Sequence, residues 1–292
     1  MKTSYYKTLL LVLMCVCIFG CGKAPTEPVL ATAPVKGESF SIPDVNLDML
    51  WCKPGTFMMG SPEDEKDRGN DETQHEVTLT QGFWLGKYEV TQAQWKKVVG
   101  ANPSGFKGAS RPVEKVSWKD AIKFCEKLTQ MEKSAGRLPE GWAYTLPTEA
   151  QWEYACRAGT TTATSFGNRL SSRQANFNGI HLSDGAAKGP NLRKTTKVGS
   201  YPANAWGFHD MHGNVYEWCS DRNGKYPDGS VTDPVGSSDG SFRVLRGGRW
   251  GTSGRYVRSA LRCCLKPDDR APSTGLGFRL SLQTEKKERS DP

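Results

Sequence analysis

The chain has 292 residues, a net charge of +8 and 24% charged residues, a composition typical of globular proteins rather than disordered ones. Its length allows one large domain or two small ones. No block of lysine and arginine is interleaved with aromatic residues, so the basic charge is too diffuse to indicate nucleic-acid binding.

The first twenty residues are typical of an export signal. Lys2 and Lys7 precede an apolar run over residues 9–20, which is too short for an ordinary membrane-spanning helix. The run ends in the letters IFGC, which resemble a bacterial lipobox with Cys21 as the lipid-bearing residue. We therefore expect a signal peptide over residues 1–20 and lipidation of Cys21. A short transmembrane anchor and a conventionally cleaved signal are the alternatives.

The segment after the signal indicates a tether. Residues 21–45 contain four prolines among small and polar residues, which favours an extended, flexible chain. The charged residues 283–292 are predicted to form a disordered tail. No internal repeat or second linker interrupts residues 46–282, so this range is predicted to be one domain. The lipid would hold that domain at the cell envelope, on the periplasmic side or at the surface.

Six cysteines follow Cys21 and carry no clear motif. Export permits disulfides, although the spacing does not choose among the pairings, and buried reduced thiols are the alternative. The chain lacks a Cys-x-x-Cys pair, so neither a redox motif nor a zinc site is indicated. These cysteines are Cys52, Cys125, Cys156, Cys219, Cys263 and Cys264.

Three helices are predicted from their capping signals. Asp120 follows Ser117 by three residues, and Gln151 follows Thr148 by three residues, as in a capping box. Apolar residues recur at helical spacing after each cap. The predicted N-caps are Thr91, Ser117 and Thr148, and glycines at positions 100, 136 and 159 mark the ends.

The strand signals are short and scattered. The segments TFMMG, EVTLT and FWLGKYEVT predict a sheet with a hairpin turn around Gln81–Gly82. The segments RVLRGGRW and LGFRL predict strands near the end. Residues 160–204 have little periodicity, which is typical of functional loops or of loops held by a metal or a disulfide. The pattern predicts an α+β fold with much irregular structure.

Four motifs in this order and spacing resemble the formylglycine-generating enzyme family, also called the sulfatase-modifying-factor domain. The motifs are KYEVTQAQW (Lys87–Trp95), LPTEAQWEYACRAG (Leu146–Gly159), HDMHGNVYEWCSD (His209–Asp221) and RVLRGGRW…GLGFRL (Arg243–Leu280). The resemblance covers nearly all of residues 48–282. It implies a loop-rich α+β fold with little regular secondary structure, related to C-type lectins. It does not fix the activity, because function resides in the site rather than the fold.

The resemblance implies a copper site that this chain lacks. The enzymes of the family bind Cu(I) with two cysteines that follow a Gly-Gly pair, five residues apart, and use O2 to convert a sulfatase cysteine to formylglycine. Soft thiolates are the ligands that Cu(I) prefers. Counted from Gly247–Gly248, the two positions are Thr252 and Val257, so we expect no copper site. Cys263 and Cys264 lie beyond these positions.

The other cleft positions are also altered. Arg249 stands where the family usually has serine, and Tyr216 stands where it has tryptophan. Tyr256 keeps its expected type. The candidate cleft residues are Tyr216, Arg249, Trp250, Thr252, Arg255 and Tyr256, although Trp250 is equally consistent with core packing.

The resemblance also implies calcium. In DMHGNVYEW, Asp210 and Glu217 would supply carboxylates, and Gly213 and Val215 backbone carbonyls. Such hard oxygen donors suit Ca²⁺. A second site would use Asn176 and the carbonyl of Phe177, with Asp184 as a candidate acidic partner. The alternative is that these side chains stabilise turns without a metal.

Two further groups leave alternatives open. His209 and His212 flank Asp210 with a spacing that a transition-metal site could use, although ordinary polar loop residues fit as well. Four histidines in the whole chain also argue against the related iron-dependent sulfoxide synthases, which need a histidine triad. Five arginines of the last motif would favour an anionic ligand if they face the cleft, or form a charged surface if they face solvent. They are Arg246, Arg249, Arg255, Arg258 and Arg262.

The hypothesis that combines these observations is a membrane-anchored member of the family without copper-dependent oxidase activity. It would bind a peptide, protein or glycan outside the cytoplasm as an accessory module. The alternatives are a formylglycine-generating-type oxidoreductase that modifies a sulfatase cysteine with unfamiliar ligands, a related oxidation in the same cleft, and a structural component of the envelope.

Overall fold

The structure is a computed structural model that describes residues 33–181, 185–270 and 275–284. The predicted signal peptide, Cys21 and Asp184 lie outside the described residues. The fold combines short helices and strands with long irregular segments, in agreement with the predicted α+β class. None of the helices in the described ranges has the length and apolar character needed to cross a bilayer.

The largest sheet joins the two ends of the domain. It contains β1 (Phe40–Ile42), β2 (Leu47–Cys52), β5 (Phe83–Gly86), β6 (Trp142–Thr145) and β12 (Ser281–Thr284). Their order across the sheet is β1-β2-β5-β12-β6, and every neighbouring pair is antiparallel. The last strand is therefore held between two strands from the first half of the chain.

The second sheet positions the candidate site. It contains β7 (Tyr216–Arg222), β9 (Arg243–Arg246), β10 (Cys263–Leu265) and β11 (Leu276–Gly277), in the order β10-β9-β7-β11. Glu217 pairs with Arg246 across antiparallel β7 and β9, so the beginning of β7 lies beside the end of β9. This register brings Tyr216 next to the segment that follows Gly247–Gly248.

A third, smaller sheet contains β3 (Gly55–Met59), β4 (His75–Leu79) and β8 (Val231–Thr232). Because β4 pairs with β3 and β8, whereas β5 pairs with β2 and β12, the predicted hairpin around Gln81–Gly82 is wrong. The chain leaves one sheet at Thr80, whose backbone N–H and hydroxyl bind Asp233, and enters the other at Phe83. This long-range contact has no local sequence signal.

The three predicted helices are confirmed. They are α1 (Gln92–Val99), α2 (Trp118–Ser134) and α3 (Glu149–Arg157), and each begins with a complete capping box. The N-caps are the predicted Thr91, Ser117 and Thr148. On α2 the buried face contains Ala121, Cys125 and Leu128, as the periodicity predicts.

The domain begins earlier than the predicted boundary at residue 46. β1 lies within the predicted tether, with Ile42 fully buried in the main core and Val45 6% exposed. Strand β12 similarly extends the domain to Thr284, two residues past the predicted end. Pairing with β2 and burial of Ile42 stabilise a segment whose prolines alone favour an extended tether. Residues 160–204 contain neither a helix nor a named strand in their described part, as predicted.

Candidate functional site

The segment between β9 and β10 carries the two positions that the family resemblance assigns to copper ligands. Gly247 and Gly248 both have positive φ, which turns the chain sharply after β9. A Cβ on Gly248 would lie 2.6 Å from the Tyr256 carbonyl oxygen and 2.6 Å from Val257 Cγ1. Glycine at this position therefore lets the segment close tightly on itself.

Thr252 forms part of this turn. Its hydroxyl donates to the Arg249 carbonyl oxygen at 2.8 Å and accepts from the Arg249 N–H at 3.1 Å. Its own carbonyl oxygen accepts from the N–H of Asn178. The side chain that replaces the first copper ligand thus stabilises the loop, and it offers a hard oxygen rather than a thiolate.

Val257 is fully buried and lies in an apolar cluster with Leu170, Ala175 and Phe177. An aliphatic side chain has no donor atom for a metal. The residues at the two copper positions therefore do not fit Cu(I), and both have structural contacts of their own.

Cys263 and Cys264 do not replace the missing pair. They occupy successive positions of β10, opposite Leu245 and Val244, so their side chains point to opposite faces of the sheet. Cys263 packs against the main core. Burial raises the pKa of both thiols, which disfavours the thiolate that binds soft metals. All six described cysteines are free thiols, and four of them are buried.

Ring contacts and electrostatic interactions connect the remaining predicted cleft residues, here together called the cleft surface: Tyr216, Arg249, Trp250, Arg255 and Tyr256. The Arg249 guanidinium lies 5.0 Å from the Trp250 ring centroid, and that of Arg255 lies 4.5 Å from the Tyr256 ring centroid. Burial raises the pKa of Tyr216. The neighbouring Cys263 and Tyr256 raise this pKa further, whereas the charge of Arg249 lowers it. The surface combines aromatic rings with two cations.

Trp250 lies at the border between the core and this surface. Its ring packs edge-on against Phe106 at 5.5 Å, and its indole Nε1–H is buried without an acceptor. Trp250 is therefore a packed side chain whose ring also contacts the Arg249 guanidinium, and its role in a cleft stays a prediction.

The other three arginines of the motif face neither the cleft surface nor solvent, so both alternatives drawn from sequence are wrong for them. Each is less than a tenth exposed and binds buried carboxylates. The pairs are Arg246 with Glu149 and Glu153, Arg258 with Glu65 and Glu72, and Arg262 with Glu149. These pairs join α3 and the loop before β4 to the segment after β9. Removing one partner of such a pair leaves a buried charge without a counter-ion, which destabilises the fold.

A groove of about 400 Å³ is lined in part by the same segment. Gly254 and Arg258 contribute to it, together with residues 161–164 and part of the acidic loop at residues 62–66. The guanidinium of Arg258 is already bound by Glu65 and Glu72, so it offers little charge to a ligand. Sequence reasoning missed this groove because its walls come from three distant segments.

The loop before β7 contains the predicted calcium residues. Asp210 and Asn214 have positive φ, and Gly213 turns so closely that a Cβ would lie 2.4 Å from the Asn176 carbonyl oxygen. Asp210 Oδ2 accepts from the Gly199 N–H at 2.7 Å, whereas its Oδ1 is buried without a partner. Burial raises the pKa of Asp210 to about 6. Val215 is fully buried beside them.

Glu217, predicted to supply a carboxylate to calcium, has protein partners on both of its oxygens. Both of its oxygens accept from Arg279, at 2.6 and 2.7 Å, and one also accepts from Trp152 Nε1–H at 2.8 Å. Its charge is therefore balanced by a buried guanidinium, and its lone pairs are largely used.

Glu89 is the carboxylate that sequence reasoning missed. Its Oε2 accepts from Asn214 Nδ2 at 3.2 Å, while its Oε1 is buried without a partner. Burial raises the pKa of Glu89 well above its ordinary value, and the charges of Asp210 and Glu217 raise it further. Glu89 belongs to the KYEVTQAQW motif, which is the one signal that pointed to it.

A second pair of unpaired oxygens lies on the neighbouring loop. Asn176 Oδ1 and Asn191 Oδ1 are both buried without a donor, and Asn176 Nδ2 donates to the Lys194 carbonyl oxygen at 3.0 Å. Phe177, expected to contribute its carbonyl, has its side chain buried beside Val257. Within the described ranges no three His, Cys, Asp or Glu side chains are grouped to hold a metal, so amide and backbone oxygens would have to complete either site.

The two histidines are ordinary polar loop residues in their contacts. His212 is buried between the Val257 carbonyl oxygen and the Ser165 hydroxyl, at 2.8 and 2.9 Å from its two ring nitrogens. His209 Nδ1 lies 2.8 Å from the Tyr201 carbonyl oxygen. Burial lowers the pKa of His212 to about 4, so its ring is neutral near pH 7.

Comparisons with known proteins agree with this architecture. Residues 38–283 match the model of the sulfatase-modifying factor enzyme 1-like domain. Chaperone protein LppX of Paenibacillus barcinonensis is 32% identical over 211 residues, which are 61% of this chain and 72% of LppX. The formylglycine-generating enzyme of Mus musculus is 31% identical over 218 residues, which are 71% of this chain and 53% of the enzyme.

Two solved structures have the same fold. Treponema denticola variable protein 1 superposes with a TM-score of 0.71 and 28% identity, covering 84% of this chain and 98% of that one. PvdO from Pseudomonas aeruginosa superposes with a TM-score of 0.69 and 28% identity, covering 86% and 100%. The chain matches only about half of the mouse enzyme's length but nearly all of each solved relative. From residue 38 to residue 283, this chain belongs to the sulfatase-modifying factor enzyme 1-like family.

Proposed function

We propose that this protein is a lipid-anchored, extracytoplasmic accessory domain that binds a peptide or glycan ligand and does not generate formylglycine with copper. The observation that carries the proposal is the pair of residues at the copper positions. Thr252 uses its hydroxyl to close its own loop, and Val257 is a fully buried part of an apolar cluster. Neither offers the thiolate that Cu(I) requires.

A binding role is supported by what the same region retains. Aromatic rings and two guanidinium groups form the cleft surface, and such side chains are common where proteins bind ligands. One relative, LppX, is named a chaperone, which is a binding activity rather than an oxidation. The export signal and the lipobox-like IFGC at Cys21 support an envelope location.

Calcium is the cation that we propose for the oxygen-rich cluster behind the cleft surface. Glu89 and Asp210 each have a buried carboxylate oxygen without a donor, and Asn176 and Asn191 each have such an amide oxygen. Unpaired buried acceptors are costly unless a cation binds them. Glu89 and Asp210 would hold one ion with the carbonyls of Gly213 and Val215. Asn176, Asn191 and the Phe177 carbonyl would hold a second.

An oxidation assay tests the central part of this proposal. The mature protein would be mixed with copper, O2 and a sulfatase peptide that contains Cys-x-Pro-x-Arg, and mass spectrometry would measure the aldehyde. We expect no aldehyde from the wild-type protein. Aldehyde formation would contradict the proposal, and a Cys263→Ser/Cys264→Ser variant would then show whether those thiols carry it. Thr252→Cys/Val257→Cys, measured alongside, tests whether the rest of the frame still supports the chemistry.

A further inference from the structure

The five arginines singled out in the last motif, Arg246, Arg249, Arg255, Arg258 and Arg262, divide into two classes by their partners. Arg246, Arg258 and Arg262 each bind at least one buried carboxylate. Among the described residues, no carboxylate lies within ion-pair distance of Arg249 or Arg255. The guanidinium of Arg255 is turned back onto its neighbour, where it donates to the Tyr256 hydroxyl. Arg249 is therefore the one of these five arginines whose guanidinium has neither a carboxylate nor a hydroxyl partner in the described chain.

The protein makes room for the Arg249 guanidinium. A Cβ on Gly251 would lie only 2.6 Å from Arg249 Nη1, and a Cβ on Gly275 would lie 3.5 Å from Arg249 Cδ. Gly251 does not have a positive φ, so its backbone conformation does not require glycine. The missing side chain at Gly251 instead leaves the space that the guanidinium occupies. Trp250 supports the group from one side, with its ring centroid 5.0 Å from Arg249 Cζ.

This arrangement is unfavourable for a cation without a partner. Arg249 is partly buried, and a desolvated guanidinium loses hydration that only an anion or several acceptors can replace. The buried indole N–H of Trp250 next to it also lacks an acceptor, so two donors lie unpaired side by side. An anionic group that pairs with the guanidinium would restore the lost interactions, and a carboxylate matches its planar fork.

We infer that the ligand of the cleft surface is an acidic peptide and that Arg249 binds one of its carboxylates. This inference rests on the proposed binding function and narrows its ligand class. A peptide carboxylate fits better than a sulfated glycan, because Arg255 already donates to the Tyr256 hydroxyl and Arg249 is the one cation of the cleft surface without such a partner, whereas a sulfated chain is bound by several cations in a row. The rings of Tyr216, Trp250 and Tyr256 would contact the apolar parts of the peptide. Arg249 stands where the family usually has serine, so the anchor is a property of this chain.

Two peptides that differ only in charge test the inference. Acetyl-Gly-Glu-Ala-Glu-Gly-amide and its Gln counterpart would be titrated into the ¹⁵N-labelled mature protein, with the Trp250 indole signal, assigned by Trp250→Phe, as the reporter. We expect the Glu peptide to shift this signal saturably and the Gln peptide to leave it unchanged. Arg249→Ser should weaken binding by about tenfold or more, as expected for the loss of a charge-assisted hydrogen bond.

Two further variants separate a specific anchor from general attraction. Arg222→Ser removes an exposed arginine at the end of β7, whose guanidinium donates to the Ser238 carbonyl oxygen, and should not weaken binding. Gly251→Ala keeps every charge but fills the space of the guanidinium, so it should weaken binding nearly as much as Arg249→Ser. The displaced group is the end of a flexible side chain, so the fold should tolerate the added methyl group.

Several results would overturn the inference: equal shifts from the two peptides, wild-type affinity in Arg249→Ser, or Arg249-dependent binding of a sulfated oligosaccharide but not of the Glu peptide. None of them depends on copper. The outcome of the oxidation assay does not depend on peptide binding. The two experiments therefore distinguish a wrong ligand class from a wrong proposed function.

Discussion

Three carboxylates lie near the buried guanidinium of Arg279 and interact with its charge. They belong to Glu89, Asp210 and Glu217. Of the three carboxylates, Arg279 hydrogen-bonds only that of Glu217, and one oxygen of each of the other two has no donor. Mutual repulsion and burial both disfavour this state in the absence of a cation. The sequence predicted Asp210 by resemblance, but Glu89 comes from a segment more than a hundred residues away, and only the folded chain brings the two together.

Substituting Glu89 tests the cation site, because the difference in melting temperature between variant and wild type should have opposite signs without and with calcium. Because burial and the neighbouring carboxylates raise the pKa of Glu89, this carboxyl destabilises the calcium-free fold near pH 7, either as an unpaired charge or through the proton it must take up. Glu89→Gln removes that cost, so we expect the melting temperature in EDTA to rise by about 2–4 °C, the shift that about 1 kcal/mol produces in a domain of this size. With saturating calcium the wild-type protein should be stabilised and the variant should not, so the order reverses. Glu76→Gln, at an exposed carboxylate on β4, is the matched control.

Thermal unfolding monitored by circular dichroism in EDTA and in calcium would measure these shifts for each protein. An identical calcium shift in the wild-type protein and in Glu89→Gln would contradict the site. The absence of any calcium shift in the wild-type protein would contradict it as well. Asp210→Asn should behave like Glu89→Gln, because it removes the other unpaired carboxylate.

The helices show which elements a sequence can predict. Each of the three begins at a Ser or Thr whose side chain caps the third residue of the helix, and both the signal and the hydrogen bond are local. The strands depend on distant partners. β4 ends at Leu79, shortly before β5 begins at Phe83, yet the two strands belong to different sheets. The contact of Thr80 with Asp233 and the pairing of β4 with β8 place β4 in the smaller sheet. A hairpin therefore cannot be inferred from the turn residues alone.

The cap of α2 gives a prediction with a defined pH dependence. Burial alone would raise the pKa of Asp120, but hydrogen bonds from Arg270 and Ser117 outweigh it and hold the pKa at about 2. A lowered pKa contributes stability above the ordinary pKa of an aspartate, and that contribution is lost as the pH falls through the folded value. Asp120→Asn should therefore lower the free energy of unfolding by about 1–2 kcal/mol at pH 7.

Urea unfolding of both proteins between pH 7 and pH 3 measures this difference. The gap should narrow steadily below about pH 4, where the unfolded aspartate takes up its proton. Asp268→Asn, which breaks an exposed pair with Lys119, should have little effect at any pH. A gap that stays constant with pH would mean that the charge of Asp120 does not stabilise the helix.

At the scale of the whole molecule, buried ion pairs connect parts of the chain that the sequence does not relate. Arg258 binds Glu65 and Glu72 across nearly two hundred positions, and Arg246 binds Glu153 on α3. From the sequence these arginines could line the cleft or form a charged surface, because composition does not reveal which charges are paired inside. In contrast, the residues at the two copper positions can be identified by counting from Gly247–Gly248. The contacts that Thr252 and Val257 make cannot be predicted in this way.

The thiols provide a check on the whole fold. In the native protein, Cys263 and Cys264 are partly exposed, and Cys52, Cys125, Cys156 and Cys219 are buried. We expect native alkylation to modify the first two slowly and to spare the other four. In guanidinium chloride without a reductant all six should react, as mass spectrometry of the peptides would show. A pair that reacts only after reduction would reveal a disulfide and contradict the free-thiol arrangement.

Copper binding is the measurement that tests the account most directly. Cu(I) would be titrated anaerobically into the mature wild-type protein and into Thr252→Cys/Val257→Cys, against a chromogenic chelator that reports free Cu(I). The account predicts no stoichiometric, thiolate-bound Cu(I) in the wild-type protein, because its two positions carry a hydroxyl and a buried aliphatic group. One tightly bound Cu(I) per wild-type molecule, with a thiolate-to-copper absorption band, would contradict it and return the protein to the oxidases of its family.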